Sequence, residues 1–215
     1  MVRSPSANSH LPKPKKSTYH HGDLRRVLLD ATVQLIEEQG LEAVSVREVA
    51  RRIGVSPGAP FRHFENRTAL LTAVAEVAQE RLIQAVGESL RDAEKAEPLQ
   101  KFRAIGIGFL RWAFANPTHF QVIAARAAIE FDRPTLRARN DGLRATMNQL
   151  MSQAAANGGL RPGEVSRHVL AGRALVYGLA RMQIDGQFPS WGVDSGNALN
   201  ESIAVLDQFI ASISA

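Results

Sequence analysis

Of the five arginines between residues 47 and 67, Arg47, Arg62 and Arg67 stand out beside the hydroxyl of Ser56 and the imidazole of His63. A guanidinium stays charged at neutral pH and presents a planar fork of donors. That fork fits a phosphate, or the outer edge of guanine, two hydrogen bonds at a time. Arg62 is the candidate for base readout, Arg67 suits a backbone phosphate, and Arg47 suits either. Ser56, Pro57, Gly58 and Ala59 open a short segment whose free amide groups favour an anion. Ala59 and Pro60 are small and apolar, able to touch thymine methyl groups but not to read donors and acceptors. Phe61 supplies a ring without a hydroxyl. Arg51 and Arg52 lie nearby, either as further contacts or as solvated side chains.

The surrounding residues explain how such a set is held. Ser45 reads as a helix N-cap with Glu48 three residues on, a capping-box pattern. Val46, Val49, Ala50 and Ile53 recur at helical spacing. Gly54 then stops the helix, because the position after a C-cap often needs positive φ. Val55 follows as an apolar plug, and Ser56-Pro57 is a second helix start. Helix, glycine turn and a second helix over about Pro57–His63 make a helix-turn-helix, whose second helix enters the major groove of DNA. Pro60 falls near the fourth position of that helix, where its missing N–H costs a hydrogen bond unless the cap shifts toward Gly58. An earlier helix, about Asp23 to Gln39, carries Leu24, Leu28, Ala31, Leu35 and Ile36 on one face and ends at Gly40.

The joined pattern resembles the DNA-binding signature of the TetR family of transcriptional regulators. The resemblance rests on Val46 to Ala50, the Gly54-Val55-Ser56 turn, Phe61, His63-Phe64, Arg67 and Leu70-Leu71, and on the Tyr19 to Arg25 approach. It implies an N-terminal head over residues 20–67 and an effector-binding and dimerisation body over 68–215. It also implies a homodimer formed by the last two helices on a pseudo-palindromic double-stranded operator, acting as a repressor released by a small apolar or amphipathic effector. An activator, or a DNA-binding protein of the same fold with no effector, is the alternative. Phe61 stands where the family often has tyrosine, and Arg67 where lysine is usual. Arg173 and Tyr177 replace the Trp and His of a W-A-L-V-H-G segment.

The body supplies large apolar residues on several helices: Phe102, Ile105, Phe109, Trp112, Phe120, Ile123, Met147, Leu150 and Met182. They suit a pocket or a filled core, with Arg126 and Tyr177 able to orient a ligand. His119 and His168 also sit near apolar faces. Proline and asparagine breaks divide the chain into about nine helices, and no segment alternates with period two, so the expected fold is all-α. Of the formal charge of +5, the segment up to Arg67 carries +4, from 11 basic and 7 acidic residues, which suits a polyanionic partner there. Residues 1–19, with Lys13, Lys15 and Lys16, read as a disordered basic arm, either tracking DNA or simply solvated. Zero cysteines exclude disulfides and fit a cytoplasmic protein. Neither His20-His21 nor any other cluster completes a metal set, and no nucleotide-binding glycine motif or nucleophile elbow appears. The sequence therefore implies no cofactor, no membrane span and no enzyme.

Overall fold

The computed structural model describes residues 21–215, with side chains from residue 24 onward. The basic arm and His20 lie outside the described residues. Eight α-helices follow in order: α1 His21–Gln39, α2 Val46–Arg52, α3 Arg67–Asp92, α4 Pro98–Ala115, α5 Pro117–Ala124, α6 Pro134–Ala156, α7 Val165–Ile184 and α8 Ala198–Ile213. Among the described residues there is no strand, only an isolated bridge between Leu160 and Ser214. The all-α reading is correct.

Local chemistry sets the helix ends. The Ser45 hydroxyl accepts from the Glu48 amide at 3.1 Å, and Asn66 Oδ1 accepts from the Ala69 amide at 2.9 Å, caps worth about 1 kcal/mol each. Proline occupies the first turn of α4, α5 and α6, where its missing N–H costs nothing. Gly40 and Gly54 take φ of 84° and 70° after α1 and α2, a positive φ that glycine adopts without a Cβ penalty.

Apolar side chains form two clusters. One joins α1 and α2 to the first half of α3 through Leu28, Leu35, Val49, Phe64, Leu70, Leu71 and Val74. The other joins the second half of α3 to α4, α6, α7 and α8, around Leu82, Phe102, Leu110, Met151 and Leu206. The first cluster also takes in Val122, Ile129 and Leu136 from α5 and beyond, so the cores do not divide at residue 67. The strand of chain entering α6 is fastened along one stripe of α3. Thr72 Oγ1 accepts from the Glu130 amide at 3.0 Å, and Thr135 donates to Glu76 at 2.6 Å. Arg139 donates to the Glu76 carbonyl at 2.9 Å, and Gln79 donates to the Leu136 carbonyl at 3.0 Å.

Gly108 lets α4 approach α3. A Cβ there would lie 3.0 Å from Val86 Cα and 3.1 Å from Ala85 O, backbone atoms that cannot swing aside. We expect Gly108→Val to lower the unfolding free energy by about 1–3 kcal/mol, read from urea denaturation; an unchanged midpoint would show that the crossing is slack.

Candidate nucleic-acid interface and internal cavity

The segment after α2 is tighter than its sequence suggests. In place of a second α-helix over 57–63 there is a turn and a 3-10 helix, Pro60–Arg62, with Ala59 as its cap. The Ala59 amide bonds to Ser56 O at 3.0 Å, and the His63 and Phe64 amides both reach Pro60 O at 2.9 Å. Pro60 has no N–H to continue an α-helical ladder back to Ser56, so the chain starts again at the proline. The cap shift toward Gly58 goes one residue further than expected. Eight α-helices among the described residues, close to the expected nine, follow from the same cause, and with three residues in the turn little helix dipole remains.

Side chains in this segment divide by exposure. Arg47, Ser56, Pro57, Gly58, Phe61 and Arg62 are exposed, Ala59 and His63 are half-buried, and Pro60 is buried in the head. Pro60 is thus a packing residue, not a surface for thymine. Phe64 is also buried and has the Arg25 guanidinium 5.6 Å from its ring centroid. Arg51 and Arg52 are paired. Arg51 clamps Glu48 at 2.9 Å through Nε, and Arg52 forks onto Glu38. These hydrogen bonds hold both carboxyls below their ordinary range. Because Glu48 turns to Arg51, only the serine half of the capping box forms.

Arg67 has a different task from the phosphate contact expected of it. Its Nε donates to Val44 O at 3.0 Å and its Nη2 to Leu41 O at 2.9 Å, with Glu42 at 3.4 Å. The guanidinium ties the start of α3 to the α1–α2 connection. Arg47 and Arg62 form no ion pair among the described residues, so their charge faces solvent unspent.

In the body, a cavity of about 370 Å³ lies among α3, α4, α5, α6 and α7. Eight expected residues line it: Phe102, Ile105, Phe109, Phe120, Ile123, Arg126, Met147 and Tyr177. Trp112, Leu150 and Met182 do not. Trp112 and Leu150 lie about one turn beyond Phe109 and Met147, past the end of the space, and pack into the body core. Met182 is five residues from Tyr177, about 140° around the helix at 3.6 residues per turn, and faces other core residues. Phe109 and Phe120 meet edge to face at 5.8 Å, and Phe120 lies 5.4 Å from Tyr177. Gly172 admits Phe102: a Cβ there would stand 2.9 Å from its ring. His119 is instead engaged with Arg81 at 3.2 Å, and burial pushes its pKa down. His168 is likewise off the cavity wall.

Gln79, Arg139 and Arg173 are absent from the expected cavity residues, yet all three line it. A usable signal existed for Arg173, which shares an apolar helical stripe with Val169, Val176 and Tyr177. Gln79 Oε1 is buried with no partner, although its amide nitrogen is bonded. Ile129 and Leu136 belong both to the cavity wall and to the head core.

Known proteins match this architecture. Residues 28–74 fit the family model described as bacterial regulatory proteins, tetR family, and residues 102–206 fit a tetracyclin repressor-like C-terminal domain. An HTH-type transcriptional repressor of Mycobacterium tuberculosis is 30% identical over 152 residues, 67% of this chain and 73% of that protein. The nucleoid occlusion factor SlmA of Sodalis glossinidius is 26% identical over 157 residues, 71% of this chain and 78% of its own. A solved protein of unknown function from Rhodococcus sp. RHA1 superposes with a TM-score of 0.74 at 28% identity, over 93% of this chain and all (100%) of that one. Among the described residues, no helix is long and apolar enough to cross a membrane, and no group of three or more His, Cys, Asp or Glu could hold a metal.

The division of labour among the arginines is open to measurement. Arg67→Ala strands two carbonyls, and we expect it to cost about 1–3 kcal/mol of stability. Arg62→Ala should stay within about 0.5 kcal/mol. Equal losses in thermal unfolding would contradict the assignment.

Proposed function

The chain belongs to the TetR family of bacterial regulatory proteins, and from that premise we propose that it is a homodimeric repressor released from its operator by a small molecule bound in the cavity. That it is a DNA-binding transcriptional regulator follows from the family. One observation carries the finer reading: the cavity shares Ile129 and Leu136 with the core that holds the DNA-reading head. A ligand that moves these side chains acts on the head through direct packing, and couplings of this kind are typically about 1–3 kcal/mol. The cavity favours this reading over a fold-mate that works without an effector. The name of the mycobacterial relative, a repressor, supports repression over activation.

On the DNA side, Arg62 reads a base and Arg47 contacts a phosphate, with the Ser56–Ala59 turn, Phe61 and His63 against the backbone. Arg67 holds the head together behind them. Phe61 is 44% exposed and, lacking a hydroxyl, contributes area in place of a hydrogen bond. The role is binding in the cytoplasm, not catalysis.

The second copy docks on α7 and α8. Leu170 and Val205 are 68% and 38% exposed, and a shallow groove between these helices is lined by Ala171, Leu175, Val205 and Phe209. Gly178 has nothing within 4 Å of where its Cβ would be, which leaves room for close helix approach. A two-fold dimer places its heads on half-sites about one helical turn apart, or a multiple of that.

Selection from a random-sequence DNA library should return a pseudo-palindrome. On that site Arg62→Ala should cost about 1–3 kcal/mol per half-site and relax one base position. Arg47→Ala should weaken all sequences alike and lower the salt slope by about 1. Failure to enrich any sequence would overturn the regulator reading. Light scattering tests the interface: Val205→Glu should convert dimer to monomer, and a wild-type monomer would refute the docking face.

A further inference from the structure

Charge around the cavity is one-sided. Four arginines line it, Arg126, Arg139, Arg144 and Arg173, and no aspartate or glutamate does. Two of the four are committed elsewhere. Arg139 donates to Glu76 O at 2.9 Å and lies 3.6 Å from Glu80, while Arg144 pairs with Asp141 at 3.1 Å. Arg126 and Arg173 have no ion pair among the described residues.

Arg173 is the inner of these two. It is half-buried, and its Nη1 is sealed from solvent with no hydrogen-bond partner. Phe109 and Tyr177 lie against the guanidinium, their ring centroids 4.8 and 5.1 Å from its central carbon. Ring faces attract the charge but accept no conventional hydrogen bond, so the N–H edge remains available. Arg126 is exposed and rests on Phe131, its central carbon 3.1 Å from the ring centroid. Burial pushes both guanidiniums below their ordinary pKa, and the charge of Arg126 adds to the effect on Arg173. Two like charges therefore converge on an apolar space whose wall carries no carboxylate, with Asp132 acting on Arg126 only from outside that wall. A buried charged donor is strongly favoured by an ionised acceptor, and a guanidinium binds carboxylate or phosphate through paired bonds. A cationic ligand would meet only repulsion there, and a wholly apolar one would leave the Nη1 donor unmet.

We propose that the cavity selects an amphipathic organic anion, an apolar body with one carboxylate or phosphate head, and that Arg173 and Arg126 hold that head. The proposal rests on the reading of the cavity as the effector site. Phe102, Ile105, Phe120 and Met147 then contact the apolar body, and the head group lies toward α7 and the α5–α6 connection.

The test uses the full-length protein and matched probes below their micelle concentrations. One set is decanoate, decyl phosphate, decanol and decylamine. The other is naphthylacetate, naphthylethanol and naphthylethylamine. Binding is read by calorimetry, with melting temperature and circular dichroism as checks on folding. The expected result is an anion bound at least about tenfold more tightly than the alcohol of the same body, with the amine weakest. Decanoate against decyl phosphate identifies the head group. Arg173→Gln should remove that preference while leaving the alcohol's affinity within about twofold, as charge-specific recognition requires. Arg126→Gln, an exposed position that does not threaten folding, should reduce the preference independently. Equal binding of anion and alcohol, or a preference for the amine, would overturn the anion proposal and leave the effector site standing. No binding by any probe, with operator binding intact, would overturn both.

Discussion

One helix is held in two cores at once, and the other features depend on it. α3 has 26 residues, about 39 Å at 1.5 Å per residue. Its first turns place Leu70, Leu71 and Val74 among the side chains of α1 and α2, and its later turns place Leu82 and Val86 in the body. Burying each such side chain contributes about 1.5–3 kcal/mol. A head of two helices and a 3-10 turn buries little apolar surface by itself, and so small a unit is marginal when it stands alone. Here Val122, Ile129 and Leu136 of the body provide it. Arg67 completes the arrangement at the start of α3, where its guanidinium takes the carbonyls of Leu41 and Val44.

The same helix connects the two sites. Thr72, Glu76 and Gln79 recur along one stripe of α3 and bind the chain between Glu130 and Arg139. That chain closes one side of the cavity and also seals the back of the head core. The head core and the cavity thus share a wall. On the head side the wall is packed into the core around Leu70 and Val74, and packed interiors transmit displacement.

How much of this the sequence revealed varied with the kind of physics involved. Stops at Gly40 and Gly54 and the Ser45 cap are local, and they appear in the structure where the residues placed them, whereas the helix start expected at Ser56-Pro57 moves to Pro60. The stripe of Phe102, Ile105 and Phe109 follows from helical period and was legible too. Pro60 marks a difficulty in the sequence, but whether the chain absorbs it in an α-helix or a 3-10 turn depends on which carbonyl the following amides can reach. Arg67 was harder. Its partners are backbone carbonyls more than twenty residues away, and no sequence pattern marks a carbonyl as free. Arg173 is visible as a departure from a family segment and as a charge within an apolar stripe; the absence of acidic residues on the surrounding wall is a property of the assembled space. Trp112 and Met182 show the reverse error, in which a correct apolar reading lacked the depth and phase that separate a cavity wall from core.

Native-state hydrogen exchange along α3 tests the shared-helix account most directly, because it measures local opening residue by residue. If one helix joins both cores, the amides of Leu70 to Val74 and those of Leu82 to Val86 should open at the same free energy and with the same denaturant dependence, that of global unfolding. Exchange of the first group through a separate, lower-energy opening, with the second still protected, would contradict it.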